Sequence, residues 1–168
     1  MNSRSKFELS EKMITRLFQN ANINPINHIK PLGDGEFNSI YSCDSNDSSY
    51  VLKVAPYKKS CLLTYEINMM KQELYFYSLI QEKTTIKTPK ILYSDFTYSI
   101  IPTAYFIMEK IDGVQSDKLS LDENQSMELN HKIADILAQI HRLKNNQFGY
   151  IQNGLYENWF LAISSMVQ

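Results

Sequence analysis

The chain has 168 residues, of which 43% are hydrophobic and 21% are charged, and its formal net charge is −1. This is the composition of an ordinary globular protein of about one domain, and the balanced charge leaves no basic surplus for binding nucleic acid or an anionic membrane. No apolar run reaches the roughly 18 residues of a membrane span. Because its only two cysteines, Cys43 and Cys61, lack metal-site spacing, we expect a cytoplasmic protein with free thiols.

Hydrophobic periodicity and turn residues predict the order of the elements. In chain order they are a helix over 10–18, strands over 29–32, 39–43 and 50–55, a helix over about 63–82, strands over 90–95 and 104–111, a helix from about 120 to 145, and a helix over 158–167. This order predicts an α+β fold with a five-stranded antiparallel sheet and one packed helix, followed by a helical part. The predicted domains are an N-terminal helical segment (1–27), a sheet domain (28–113) and a helical part (114–168). The S-x-x-E sequence of Ser120–Glu123 predicts a capping box at the start of the third helix.

Two glycines, Gly33 and Gly35, lie in the turn between the first two strands. Glycine lets a backbone approach a phosphate closely and leaves N–H groups free to bind it. A tight hairpin turn without a ligand is the alternative. The residues that follow favour phosphate binding, since Asn38 stands where a third glycine would lie and tolerates the left-handed conformation. Ile40 stands where an apolar residue would cover a nucleotide base.

Lys53 lies within the third predicted strand, twenty residues after Gly33. Strand alternation places Val51, Lys53 and Ala55 on one face, and Tyr50, Leu52 and Val54 on the other. From that position the lysine is in reach of the phosphates of a nucleotide lying under the turn Gly33–Asn38, which we call the glycine turn. The alternative is a lysine on an edge strand whose aliphatic stem covers apolar surface.

Glu73 lies on the second predicted helix among apolar neighbours three and four positions away. A carboxylate in such surroundings is costly unless a cation meets it, and Lys53 is the natural candidate. Glu66, seven residues earlier on nearly the same stripe, stays open as the partner of Lys53. We prefer Glu73 because it is the more central of the two on the helix.

The fifth predicted strand ends in Met108-Glu109-Lys110-Ile111-Asp112-Gly113. A strand that leaves the sheet here exposes backbone groups to the edge of an adenine, with the Glu109 C=O and the Ile111 N–H as partners. A strand end followed by a glycine turn is the alternative.

Together these residues resemble the aminoglycoside phosphotransferase and choline kinase superfamily, whose members are small-molecule kinases with a protein-kinase-like fold. Gly35–Tyr41 is similar to the family's G-x-x-N-x-apolar-aromatic loop, Tyr50–Val54 to its lysine strand, Glu73–Tyr77 to its E-x-x-x-Y helix, and Phe106–Gly113 to its hinge. Leu137–His141 and Phe148–Tyr150 resemble the segment that opens the family's second lobe. The resemblance covers about residues 28–167.

The resemblance implies that Lys53 holds the α and β phosphates of ATP or GTP, that Glu73 orients Lys53, and that the loop Gly33–Ser39 covers the phosphates. The implied nucleotide-binding residues are Gly33, Gly35, Asn38, Ser39, Ile40, Val51, Lys53, Glu73, Met108, Glu109 and Ile111.

The family's catalytic loop, H-x-D-x-x-x-x-N, supplies the catalytic base and a ligand of Mg²⁺. Neither His131 nor His141 opens such a sequence. We therefore expect the catalytic residues and the Mg²⁺ ligands beyond Gln168, and assign none to this chain. His141 is interpreted as a structural residue near a helix C-terminus.

The resemblance thus implies the nucleotide-binding portion of an ATP- or GTP-dependent kinase. Its acceptor would be a hydroxyl group of a small molecule, an aminoglycoside-like compound or a metabolite, bound through the lobe that follows. The 168 residues alone are expected to be inactive. Two alternatives stay open: a truncated nucleotide-binding or regulatory module without catalysis, and a protein-interaction module.

Overall fold

A computed structural model describes residues 6–23, 25–33, 37–57 and 62–167, without the side chain of Asp117. Within these ranges the chain forms one five-stranded antiparallel sheet with the order β1-β2-β3-β5-β4. Its strands are β1 His28–Pro31, β2 Ser39–Asp44, β3 Ser49–Val54, β4 Ile91–Asp95 and β5 Tyr105–Glu109. The helices are α1 Glu11–Asn20, α2 Met69–Lys83, α3 Glu123–His141 and α4 Trp159–Met166. The predicted sheet is confirmed.

The chain divides into two compact units. The first comprises Met1–Met70 and Pro89–Lys110, and therefore holds α1 and the sheet. The second comprises Lys71–Thr88 and Ile111–Gln168, and holds most of α2 together with α3 and α4. The domain bounds at 28–113 and 114–168 stay a prediction. None of the described helices is long and apolar enough to cross a membrane.

The core of the first unit lies between α1 and one face of the sheet. The side chains of Ile14, Leu17 and Phe18 on α1 are at most 1% exposed. They pack with the buried sheet residues Tyr41, Cys43, Leu52, Val54, Tyr105 and Ile107. Ser10 caps the helix, since its hydroxyl accepts a hydrogen bond from the Met13 N–H, as serine does at helix starts. The helix that packs on this face is therefore the N-terminal one.

The first unit buries Cys43 completely as a free thiol. Burial, with a smaller contribution from the charge of Asp44, raises the pKa of this thiol to about 12. The thiol therefore stays protonated near neutral pH and is a core residue rather than a nucleophile. Cys61 lies outside the described residues.

The helix predicted over 63–82 begins later than expected, because α2 starts at Met69. Residues Thr64–Glu66 form a separate 3-10 turn, in which a Glu66 carboxylate oxygen accepts a hydrogen bond from the Leu63 N–H at 2.8 Å. Asn68 then adopts a left-handed conformation with φ of 59°, which interrupts a right-handed helix. Local hydrogen bonding and this asparagine together override the apolar periodicity.

The predicted capping box at Ser120–Glu123 is wrong by two residues. The N-cap of α3 is Asp122, whose carboxylate accepts from the Gln125 N–H at 2.9 Å. The Gln125 side chain accepts in return from the Asp122 N–H at 3.1 Å. Aspartate with glutamine satisfies the same free N–H groups as serine with glutamate. The helix ends at His141, earlier than the predicted Asn145.

Candidate functional site

The candidate site is the face of the sheet opposite α1, with Lys53 near its centre. Lys53 on β3 pairs with Ile40 on β2 and with Phe106 on β5. Directly paired residues of antiparallel strands share a face, so these three side chains form a continuous row across the sheet. The Lys53 ammonium lies 6.0 Å from the centroid of the Phe106 ring, at the outer limit of a cation–π contact. A half-buried cation therefore stands on an otherwise apolar strip.

A second row lies beside the first, two residues along each strand. Val51 pairs with Ser42 on β2 and with Met108 on β5. Val51 is buried, whereas Met108 is half-buried. The predicted site residues Ile40, Val51, Lys53 and Met108 are thus brought together on one face. We define the two rows, Ile40, Ser42, Val51, Lys53, Phe106 and Met108, as the lysine face.

The glycine turn joins β1 to β2 at the end of the sheet nearest Lys53. Gly33 has a φ of +78° and no heavy atom within 4 Å of the position of an added Cβ. Its conformation, rather than a lack of space, is what favours glycine here. Asn38 is half-buried and does not adopt the left-handed conformation. The described non-glycine residues with positive φ are Asn22, Asn68 and Tyr98. Gly35 lies outside the described residues.

Ser39 points away from the lysine face. It is the first residue of β2, and by alternation shares the α1 side with Tyr41 and Cys43. Ser39 is 5% exposed, and its hydroxyl has no hydrogen-bond partner in the part of the chain that the structure describes. Ser39 was predicted to cover the phosphates. Because its side chain lies on the α1 side, only its backbone is available to contact a phosphate on the side of Lys53.

Glu73 lies on α2 within the second compact unit, whereas Lys53 belongs to the first. Tyr77 follows Glu73 by one helical turn. Burial raises the pKa of the Tyr77 phenol, and the nearby charge of Glu73 raises it further. Glu66, the alternative partner, already accepts the hydrogen bond from the Leu63 backbone. A carboxylate that accepts one hydrogen bond can still meet a cation, so the choice of Glu73 over Glu66 as the partner of Lys53 stays a prediction.

The predicted hinge follows β5, where the chain leaves the sheet. The Glu109 N–H donates to the Lys90 carbonyl at 3.0 Å, and the Lys110 N–H donates to the Ser49 carbonyl at 3.0 Å. Sheet pairing thus continues through Lys110. The next residue, Ile111, is 58% exposed. The Glu109 carbonyl and the Ile111 N–H stay predicted contacts of the base.

The second unit contains His141, which was interpreted from the sequence as a structural residue. His141 is the last residue of α3 and is exposed, which agrees with its structural interpretation at the negative end of the helix dipole. Among the described residues, no group of three histidine, cysteine, aspartate or glutamate side chains is placed to hold a metal ion.

Two features of this site were not predicted from the sequence. Phe106, the direct cross-strand neighbour of Lys53, was not identified, although alternation from Met108 in the same strand places both on one face. The second feature is α1, which forms the opposite side of the sheet. Its apolar residues signalled a helix, but no pattern in the sequence signals which face that helix covers.

The sequence matches a model of the phosphotransferase enzyme family over residues 28–162. The structure is similar to that of a thermostable mutant of aminoglycoside phosphotransferase APH(4)-Ia, with a TM-score of 0.58 and 20% identity. It is also similar to a candidate fructosamine-3-kinase from Haemophilus somnus 129PT, with a TM-score of 0.58 and 16% identity. Among curated proteins, none matches the sequence.

The two structural similarities cover most of this chain, 89% and 92%, but only 47% and 50% of those two proteins. The chain thus spans about half the length of the solved proteins that it resembles. At these identities the similarity concerns the fold, and it confirms the predicted protein-kinase-like fold.

Proposed function

Because the chain belongs to the phosphotransferase enzyme family, we propose that it binds ATP or GTP on the lysine face and forms the nucleotide-binding portion of a small-molecule kinase. The acceptor would be a hydroxyl group, on an aminoglycoside-like compound or a metabolite. Residues outside these 168 would bind that acceptor and supply the catalytic base.

The observation that carries the proposal is the row formed by Ile40, Lys53 and Phe106. A nucleotide needs an apolar surface for its base and a cation for its phosphates. The lysine face offers both, since Ile40 and Val51 are apolar and Lys53 stands between Ile40 and the Phe106 ring. Lysine is a common phosphate ligand that acts as a point charge.

The glycine turn adds the second element of phosphate binding. Gly33 enters the turn with positive φ, and backbone N–H groups in such turns form concave sites for anions. Asn38, at the end of the turn, would complete the cover over the phosphates. Glu73 would orient Lys53 from α2, and the Glu109 carbonyl with the Ile111 N–H would hold the base.

Mg²⁺, when bound with the nucleotide, neutralises charge on the phosphates during transfer. The described residues do not fit a complete Mg²⁺ site, since no cluster of suitable ligands is present among them. We therefore assign no Mg²⁺ ligand to the described residues, and assign them binding and orientation of the nucleotide alone.

We expect Mg-ATP or Mg-GTP at 100 times its Kd to raise the free energy of unfolding of the purified chain by about 2.7 kcal/mol. The increase would be read as a higher Tm in a thermal scan with and without nucleotide. No phosphoryl transfer to an aminoglycoside or to water is expected, because the H-x-D-x-x-x-x-N sequence is absent. An unchanged Tm at millimolar concentrations of both nucleotides would count against nucleotide binding, and measurable transfer that survives Lys53→Ala would contradict the assignment of the catalytic groups.

A protein-interaction module is the second candidate, and exposed apolar residues favour it. Trp159 and Phe160 on α4 are 57% and 77% exposed, and Ile133, Ile136 and Leu137 on α3 are each more than 40% exposed. Exposed apolar patches are typical of interaction sites. Nucleotide binding separates the two candidates, since an interaction module would show none.

A further inference from the structure

The segment before α1 lies against the end of the sheet that carries the glycine turn. We call residues 6–9 the strap; the family match begins at residue 28 and does not include it. The Leu9 N–H in the strap donates a hydrogen bond to the Tyr41 hydroxyl at 2.9 Å. The Phe7 ring stacks on the Tyr57 ring, with centroids 5.8 Å apart and planes inclined by 21°. The strap is thus attached to the sheet unit at two points.

Both attachment points lie where the glycine turn meets the sheet. Tyr41 is two residues beyond Ser39, at which β2 begins. Tyr57 is three residues beyond Val54, at which β3 ends. Ser39 and Val54 are directly paired, so the start of β2 and the end of β3 are neighbours. Lys53 directly precedes Val54, and the strap is therefore attached beside the strand end that presents it.

A pocket of about 240 Å³ lies between the strap and the sheet. On one side it is lined by the strap residues Lys6, Glu8 and Leu9, and on the other by Pro31, Gly33, Ser39, Ile40 and Tyr41. The second group includes Gly33, the first residue of the glycine turn, and Ser39, the residue that follows the turn. The strap therefore faces both ends of the turn rather than the middle of the sheet.

We propose that the strap positions the start of β2, and with it Asn38 at the end of the glycine turn, for nucleotide binding, with Phe7 and Tyr41 as positioning residues. The inference rests on the proposed function. Backbone N–H groups bind a phosphate well only when they are held in place beforehand, because ordering a loop on binding costs affinity. The contact of Leu9 with Tyr41 holds the start of β2, and the contact of Phe7 with Tyr57 holds the chain just after the paired end of β3. Phe7 and Tyr41 pack with the core on the α1 side of the sheet, opposite the lysine face.

The test compares strap variants with a variant at the other end of α1. Phe7→Ala removes the stacking on Tyr57, and Tyr41→Phe removes only the hydroxyl that accepts from Leu9. Phe7→Tyr keeps the ring and should behave as the wild type. The matched control is Asn20→Ala, because the Asn20 amide donates to the Tyr93 hydroxyl at 2.7 Å on the same side of the sheet, away from the turn.

Two readouts are taken on each variant of the full chain. We expect Phe7→Ala and Tyr41→Phe to raise the Kd for Mg-ATP, measured by calorimetric titration, by roughly fivefold or more. Without nucleotide, the same variants should speed hydrogen exchange of the amides of residues 37–41. Asn20→Ala is expected to lower the Tm but to leave both the Kd and this exchange unchanged.

The two readouts separate the strap from the function on which it rests. If the wild type binds Mg-ATP and the strap variants change neither the Kd nor the exchange more than Asn20→Ala does, the strap proposal is overturned. If the wild type binds no nucleotide at all, the proposed function is overturned together with the nucleotide role of the strap. Faster exchange in the strap variants would then show only a structural attachment.

Discussion

Replacing Lys53 by alanine is expected to weaken the binding of Mg-ATP by roughly tenfold to a hundredfold. A hydrogen bond to a charged group contributes about 1.5–3 kcal/mol, and each 1.4 kcal/mol is tenfold in affinity. Lys53 lies in the middle of the lysine face, paired with Ile40 and Phe106. It is the central cation of that face, so its loss should affect the phosphates directly. Calorimetric titration of wild type and variant gives the two Kd values.

The matched control for this variant is Lys12→Ala. Lys12 is an exposed lysine on α1, and α1 packs on the opposite side of the sheet. Both variants remove one positive charge, so a general electrostatic effect would appear in both. We expect Lys12→Ala to keep the wild-type Kd, and a Tm measurement on each variant checks that it is folded. Equal affinities of Lys53→Ala and the wild type would remove Lys53 from the site.

Replacing Phe18 by alanine is expected to destabilise the first unit by about 3–5 kcal/mol, the usual cost of deleting a buried phenylalanine. The Phe18 side chain is 0% exposed, and its ring lies 5.8 Å from the ring of Tyr50 on β3. Because stabilities of whole domains are about 5–15 kcal/mol, this loss is a large share of the total. A loss of this size would mean that α1 is an integral part of the first unit rather than a dispensable extension of it.

Urea unfolding followed by far-UV circular dichroism, with hydrogen exchange of β3 and β5, measures this loss. Gln19→Ala is the control, since Gln19 is the next residue on α1 and is exposed. The only tryptophan, Trp159, lies in the second unit, so its fluorescence reports that unit separately. A midpoint for Phe18→Ala that coincides with that of Gln19→Ala would mean that α1 does not support the sheet.

The strands of this fold could be predicted because their signal is local. Alternation in Tyr50–Val54 indicates both the strand and that Val51 shares a face with Lys53, and the observed cross-strand pairing agrees. The first residues of the helices were harder to predict from the sequence. Glu66 and Asp122 each form a side-chain hydrogen bond to a backbone N–H, and such bonds compete with apolar periodicity in setting a boundary.

The contacts between distant segments could not be predicted from the sequence. The stacking of Phe7 on Tyr57 and the hydrogen bond from Leu9 to Tyr41 join residues with no local pattern in common. The orientation of Ser39 is an intermediate case. Its place at the start of β2 was predicted, but the side of the sheet that it faces depends on where the strand begins, because one residue of shift exchanges the two faces.

The most direct test of the central claim is a titration of Mg-ATP into the chain with its methionine methyl groups labelled with ¹³C. Met108 lies on the lysine face, whereas Met13, a residue of α1, packs against the core on the opposite side of the sheet. One spectrum therefore observes both sides of the sheet. We predict a saturable shift of the Met108 methyl resonance with little change at Met13. Unchanged resonances at saturating nucleotide, or a shift confined to Met13, would contradict nucleotide binding on the lysine face.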